Sequence, residues 1–137
     1  MLIETNDELR EMLSDAEVIA VVGFSDREGR PSNEIGRLLQ KWGYRVYPVN
    51  PEIDGEVDGM TILDSLADVP EPIDIVNVFR RSQFIPGVVG DAINVGAKGV
   101  WVQLGLVSEE GAAMAESAGL KYVEDRCIKI DYMYLMR

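Results

Sequence analysis

The stretch Val18-Ile19-Ala20-Val21-Val22-Gly23 decides the fold. Five apolar residues follow one another without polar alternation, which is typical of a central parallel strand that is covered on both faces. A glycine then ends the run, at a point where the backbone can turn tightly. We therefore predict a strand over residues 18–22 at the centre of a parallel sheet.

Helical and strand patterns alternate on both sides of this run. Apolar periodicity and end signals predict helices over residues 6–16, from Ser32 or Asn33 to Trp42, over 82–95 and from Ser108 to Gly119. Strands are predicted over 45–49, 73–79, 99–104 and 121–123, with a short helical turn at 63–66 and a short tail after residue 125. This alternation predicts an α/β fold, a Rossmann-like three-layer sandwich with a five-stranded parallel sheet. The natural strand order, 3-2-1-4-5, would place the topological switch between strands one and four.

Length and composition narrow the class of protein. A chain of 137 residues suits a single domain over residues 1–137, which buries about two-thirds of the surface that the unfolded chain exposes. Its one cysteine cannot form an internal disulfide, and no basic leader precedes an apolar run. The apolar runs fall short of the roughly 20 residues that span a bilayer. We expect a cytoplasmic protein without a membrane segment.

Charge and the missing histidines exclude several functions. Asp and Glu number 24 against 13 Lys and Arg, and the net charge of -11 opposes binding to nucleic acid phosphates. The absence of histidine excludes a Ser/His/Asp triad, a phosphohistidine and an imidazole metal site. We therefore predict no nucleic acid partner, no metal site and no catalytic residue.

Arginines nevertheless cluster where the predicted strands end. Five of the 13 basic residues follow strand ends, and all are arginine: Arg27, Arg30, Arg80, Arg81 and Arg126. Ligands of open α/β sheets bind beyond the carboxyl ends of the strands, and arginine suits bidentate phosphate contacts. A helix also begins near Ser32, where free N–H groups attract an anion. Salt bridges to the many carboxylates are the alternative, but the clustering favours a phosphorylated ligand.

The first loop differs from that of an ordinary NAD enzyme. A dinucleotide fingerprint requires G-x-G-x-x-G and an acid at the end of the second strand. Here Gly23-Phe24-Ser25 is followed by a longer insertion, and Asn50 stands where the acid is expected, with Glu52 two residues beyond. The glycine pattern therefore argues against NAD.

Five motifs carry a resemblance to a known family. They lie at residues 23–25 with 30–32, 49–51, 74–81, 101–105 and 125–129. In this order and spacing the chain resembles the small stand-alone CoA-binding domain proteins, which are similar to the N-terminal domain of the succinyl-CoA synthetase alpha subunit. The resemblance covers residues 18–130. It implies a Rossmann-like fold that binds coenzyme A or an acyl-CoA.

The resemblance also implies a set of binding positions. The diphosphate would lie at the loop after strand one, the nucleotide along the loop after strand two, adenine or phosphate near the end of strand three, and the pantetheine arm near strand four. In that order the positions are Gly23, Phe24, Ser25, Arg30 and Ser32; Asn50 and Pro51; Phe79, Arg80 and Arg81; Gln103, Leu104 and Gly105. Relatives often have a basic residue after Pro51, whereas this chain has Glu52-Ile53.

The related synthetases use a phosphohistidine and a second domain, and this chain has neither. The resemblance therefore implies CoA binding without ligase activity, as a non-catalytic carrier, sensor or regulator. The alternatives are an NAD(P)-dependent or acyl-CoA-converting enzyme that relies on carboxylates, or a subunit completed by a partner protein. A homodimer is compatible with the sequence. Cys127 follows the fifth strand, and we favour a packed, inert thiol over a mixed disulfide with CoA.

Overall fold

The computed structural model describes residues 1–136. Its strands are β1 (Val18–Val22), β2 (Arg45–Val49), β3 (Glu56–Val57), β4 (Met60–Thr61), β5 (Ile75–Val78), β6 (Gly99–Val102) and β7 (Lys121–Val123). Its helices are α1 (Asn6–Asp15), α2 (Pro31–Lys41), α3 (Ile85–Asn94), α4 (Glu109–Ser117) and α5 (Ile128–Leu135). Two short 3-10 turns lie at Leu66–Asp68 and Ser82–Phe84. None of the helices in this part of the chain is long and apolar enough to cross a bilayer.

A five-stranded, all-parallel sheet forms the middle layer, as predicted, in the order β2-β1-β5-β6-β7. Every residue of β1 is buried. Ile19 and Val21 face the layer formed by α1, α2 and α5, while Val18, Ala20 and Val22 face α3 and α4. The unbroken apolar run thus supplies both faces of the central strand, which confirms the three-layer sandwich.

The strand order corrects one expectation. Counted along the chain, the five strands lie in the order 2-1-3-4-5 rather than 3-2-1-4-5, because β5 pairs with β1. The outer edge of β2 is already occupied: Leu63 donates to the Pro48 carbonyl at 2.9 Å and accepts from the Asn50 N–H at 2.9 Å. The connection itself thus covers this edge, and the next strand joins the sheet beside β1. The switch therefore lies between β1 and β5.

Two elements were not predicted. The β3–β4 hairpin turns at Asp58 and Gly59, which both have positive φ, at 50° and 80°. This Asp-Gly pair is the usual signal for a two-residue hairpin. The second element, α5, stands where we expected a short tail. The buried residues of α5 follow helical spacing, but the charged Asp131 interrupts the apolar stripe and hides the helical pattern. Only the structure shows that Asp131 is paired with Arg126.

Several predicted boundaries shift. Helix α2 begins at Pro31 with Arg30 as N-cap, so Ser32 and Asn33 lie inside its first turn and do not cap it. The third helix begins as the 3-10 turn and becomes α-helical at residue 85, with Pro86 in the first α-helical turn as expected. The short turn of helix lies at 66–68 instead of 63–66, because residue 63 pairs with β2. Strands β5 and β6 are also shorter than predicted: β5 begins two residues later and ends one residue earlier, and β6 ends two residues earlier.

Candidate functional site

The floor of the candidate site is backbone, at the switch between β1 and β5. Gly23 has φ of +85°, and its N–H donates to the Val49 carbonyl at 3.0 Å. A Cβ atom at this position would lie 2.7 Å from the Phe79 carbonyl oxygen and 3.2 Å from Cδ of Arg80. Glycine is therefore required for both the turn and the close approach. The loops after β1 and β5 meet here in direct contact.

The loop after β1 is tied to the first turn of α2. The N–H of Ser25 donates to Ser32 Oγ at 2.9 Å, and Asn33 Nδ2 donates to the Ser25 carbonyl at 3.0 Å. Ser32 and Asn33 are buried, and their own backbone N–H groups have no acceptor within residues 1–136. A helix start with free N–H groups and a positive dipole end favours an anion. The loop thus presents a helix start whose chemistry suits an anion.

The buried Phe24 ring and the Asn50 side chain hold this loop in place. The Phe24 ring is fully buried against α2, where a Cβ on Gly36 would lie 2.8 Å from it. Asn50 Nδ2 donates to the Phe24 carbonyl at 2.9 Å, and its Oδ1 accepts from the Glu52 N–H at 2.9 Å. Phe24 can therefore offer a ligand only its backbone. Pro51 lies beside them, exposed.

Four of the five arginines are available to a ligand. Within residues 1–136, Arg27, Arg30, Arg80 and Arg81 form no ion pair, although 24 carboxylates surround them. The guanidinium carbon of Arg80 lies 4.4 Å from the centroid of the Phe84 ring, which orients its charge. The salt-bridge alternative considered from the sequence therefore does not account for these four.

Arg126 is the exception. Its Nε and second terminal nitrogen donate to the two carboxylate oxygens of Asp131 at 2.6 and 2.8 Å. These hydrogen bonds raise the pKa of the guanidinium above its ordinary value. Asp131 is buried, so the pair anchors the start of α5. Arg126 is thus occupied by an internal partner.

The positions after β6 differ in character from the rest. Gln103 is buried, and its Oε1 accepts from Asn77 Nδ2 and from the Ile128 N–H, each at 3.2 Å. The N–H of Gly105 donates to Asp125 Oδ1 at 2.7 Å. Leu104, between them, is exposed. Oε1 of Gln103 and the N–H of Gly105, both predicted near the pantetheine arm, therefore have partners within the protein.

The structure thus brings together the predicted loops after β1, β2 and β5, with the loop after β6 on the neighbouring strand. From the sequence, Asn33 was a candidate only for capping the helix and Asp125 only a member of the motif at 125–129. The structure shows that each of them holds one of these loops in place. Asn33 follows the predicted helix start directly, and a polar side chain there can reach back to the preceding loop. Asp125, with φ of 56°, carries no comparable local signal.

A groove of about 910 Å³ runs along α2 and reaches the candidate site, because Gly29 and Asn33 line it together with Arg37. Arg37 is paired with Asp58 at 2.7 Å. Within residues 1–136, no three His, Cys, Asp or Glu side chains are grouped to hold a metal ion. Cys127 is half-buried at the N-cap of α5 and packs against the core.

Comparisons with known proteins show which family this chain belongs to. The family described as "CoA binding domain" matches residues 17–133. The uncharacterized protein YneT of Bacillus subtilis is 44% identical over 123 residues, which cover 90% of each chain. A hypothetical protein from Pyrococcus horikoshii has a solved structure that superposes with a TM-score of 0.93 at 35% identity, covering 98% of this chain and 94% of that one.

A larger enzyme is also related. An ADP-forming acetate–CoA ligase of Archaeoglobus fulgidus is 27% identical over 128 residues, which are 86% of this chain and 18% of the ligase. The match between chain and family extends over every element from β1 to α5. On these grounds the chain belongs to the CoA binding domain family.

Proposed function

We propose that this protein binds coenzyme A or an acyl-CoA at the loops after β1, β2 and β5, without catalysing a reaction on it. One observation carries the proposal. In a protein of net charge -11, the loops after β1 and β5 meet at Gly23 and carry four arginines that form no ion pair within residues 1–136, and the first loop leads into a helix start with free N–H groups. Unpaired cations at one edge of an acidic protein fit a ligand with several phosphates.

The roles follow from position. The diphosphate would lie against the start of α2, where the N–H groups of Ser32 and Asn33 are free and Arg27 and Arg30 are nearby in the loop. Arg80 and Arg81 would contact the 3′-phosphate. Gly23 allows the ligand to approach the backbone, while Asn50 and Pro51 flank the nucleotide. These assignments combine the family match with the loops that the structure brings together.

Three carboxylates at this edge of the sheet are held by internal partners, which supports a binding role over catalysis for them. Asp125 accepts from Gly105, Asp131 is paired with Arg126, and Glu34 is paired with Lys129 at 2.6 Å. A general acid or base must be free to exchange a proton with a ligand. The alternative is a subunit whose partner supplies the chemistry, which the similarity to one part of the Archaeoglobus ligase favours.

A thermal-shift panel of CoA, acetyl-CoA, NAD, NADP and ATP tests the proposal. A ligand at 100 times its dissociation constant stabilises the folded state by about 2.7 kcal/mol, enough for a clear rise in Tm. We expect CoA and acetyl-CoA to raise the Tm most. A rise with NADP and none with CoA would contradict the proposal.

Arg80→Ala tests the phosphate assignment. Hydrogen bonds to charged groups contribute about 1.5–3 kcal/mol, so we expect a roughly 10- to 100-fold weaker affinity for CoA. The loss for 3′-dephospho-CoA should be much smaller, because that ligand lacks the contacted group. Arg10→Ala is the matched control, since Arg10 is paired with Asp7 on α1. Equal losses for the two ligands would show that Arg80 does not contact the 3′-phosphate.

A further inference from the structure

The surface beside the end of β6 is apolar, in contrast to the arginines next to it. Phe84 is 42% exposed, Leu104 61% and Val107 50%. Large apolar side chains are usually withdrawn from water, so a group of them at the edge of a binding crevice indicates a binding surface. We call these three residues the rim patch.

Hydrogen bonds hold the rim patch together. The N–H of Val107 donates to Ser82 Oγ at 3.4 Å, which joins the loop after β6 to the turn that carries Phe84. The N–H of Leu106 donates to the Gln103 carbonyl at 3.1 Å and closes a tight turn. Leu106 packs against the core, whereas Leu104 and Val107 on either side of it face the solvent.

This loop offers a ligand few polar groups. Oε1 of Gln103 and the N–H of Gly105 already have partners inside the protein, which within residues 1–136 leaves the Nε2 group of Gln103 as its free polar side-chain group. Asp125, which accepts from Gly105, holds a left-handed backbone conformation, with φ of 56°, that non-glycine residues adopt infrequently. The part of a ligand that lies here would therefore meet mainly hydrocarbon.

The rim patch adjoins the cationic part of the site directly. The guanidinium of Arg80 stacks on the Phe84 ring at 4.4 Å, so one aromatic side chain contacts both regions. A molecule that spans them needs an anionic portion and an apolar portion. An acyl-CoA has both, whereas free CoA ends in a thiol. Because Arg80 is assigned to the 3′-phosphate, the pantetheine arm would have to fold back to bring the acyl chain to Phe84.

We propose that the preferred ligand is an acyl-CoA whose apolar acyl chain lies on the rim patch. This rests on the function proposed above. A second copy of the chain fits the surface less well, because a two-fold interface centred on this patch would bring Arg80 close to its own symmetry mate. Three side chains also fall short of the roughly 800 Å² per partner that a stable interface buries.

The test measures dissociation constants of CoA and of acetyl-, butyryl-, hexanoyl- and octanoyl-CoA by calorimetry. Full burial of one methylene is worth about fourfold in affinity, and a patch open on one side should give less. We expect the affinity of the natural protein to rise about two- to fourfold for each two methylenes added. Leu104→Ser and Val107→Ser should each reduce this gradient to below about 1.5-fold, and Val107→Ser, which lies outside the predicted CoA positions, should leave the affinity for CoA within about twofold.

Two controls complete the design. Ile130→Ser removes an exposed apolar side chain on α5, 55% exposed, and should leave the gradient unchanged. Arg80→Ala should lower the affinity for every member of the series by a similar factor. CoA binding with no gradient would overturn this inference alone, whereas binding of no CoA compound would overturn the proposed function as well. A Leu104→Ser variant that changes the sedimentation mass but keeps the gradient would also overturn it and indicate an interface between copies.

Discussion

Gly23→Ala should destabilise the protein much more than the same change at Gly29, six residues along the same loop. Both glycines have nearly the same backbone, with φ of +85° and +88°. A Cβ atom at position 23 would lie 2.7 Å from the Phe79 carbonyl oxygen, whereas one at position 29 would have no atom within 4 Å. Comparing the two variants therefore separates the cost of the left-handed backbone from the cost of the close contact with the Phe79 carbonyl oxygen.

The magnitudes follow from these two contributions. A left-handed conformation costs an alanine about 1–2 kcal/mol, which both variants lose. Overpacking against a neighbour that cannot rotate away costs about 1–3 kcal/mol more, and the neighbour here is backbone. We expect a loss of about 1–2 kcal/mol for Gly29→Ala and about 2–5 kcal/mol for Gly23→Ala.

Urea denaturation followed by circular dichroism measures the two free energies of unfolding, with unchanged slopes as the check that the comparison is valid. CoA titration of each variant, at a temperature where both are folded, adds a functional comparison. Gly23→Ala should weaken CoA binding, because the Phe79–Arg80 backbone must move to admit the methyl group. Equal losses of stability for the two variants would refute the claim that the loops after β1 and β5 are packed in contact.

Two further predictions concern regions away from the site. Burial raises the pKa of Asp74, but its bonds from the backbone N–H groups of Glu17 and Val18, at 2.8 and 3.0 Å, lower it more, and the net pKa lies below the ordinary value. Its stabilisation is therefore present above the unfolded pKa of about 3.9 and lost as the pH falls through the folded pKa. In urea denaturation, Asp74→Asn should lower the free energy of unfolding by about 1–3 kcal/mol at pH 7 and by progressively less below about pH 4. A difference in free energy of unfolding between the natural protein and the variant that stays constant from about pH 7 to about pH 3 would contradict this. Thr5→Ala removes the capping box with Glu8 and should lower the free energy of unfolding by about 0.5–2 kcal/mol, whereas an unchanged urea midpoint would show that α1 does not depend on its cap.

The elements that the sequence predicted well are those defined by neighbours along the chain. The apolar run of β1, the capping box at Thr5 and the glycines that follow α2, α3 and α4 all act through residues within one turn or one strand. The strand order, in contrast, is not determined by neighbours along the chain. It depends on Leu63 covering the edge of β2, a contact between segments 14 residues apart that periodicity does not report.

For the site as well, some features could be predicted from the sequence and others only from the structure. The sequence alone placed arginines and a glycine at the ends of the strands, and a family resemblance gave them a ligand. It could not distinguish Arg126, which is paired with Asp131, from Arg80, which has no carboxylate partner within residues 1–136. Nor could it show that Gln103 and Gly105 have internal partners while Leu104 remains exposed.

The sequence by itself thus determined the layers of the fold, the acidic charge, the lack of histidine chemistry and the collection of arginines at one edge of the sheet. Only the tertiary structure decided which of those charges are free and which surface beside them is apolar. The physical reason is that periodicity and capping are interactions between near neighbours. The pairing of a charge, or the covering of an edge, depends instead on groups that folding brings together from distant parts of the chain.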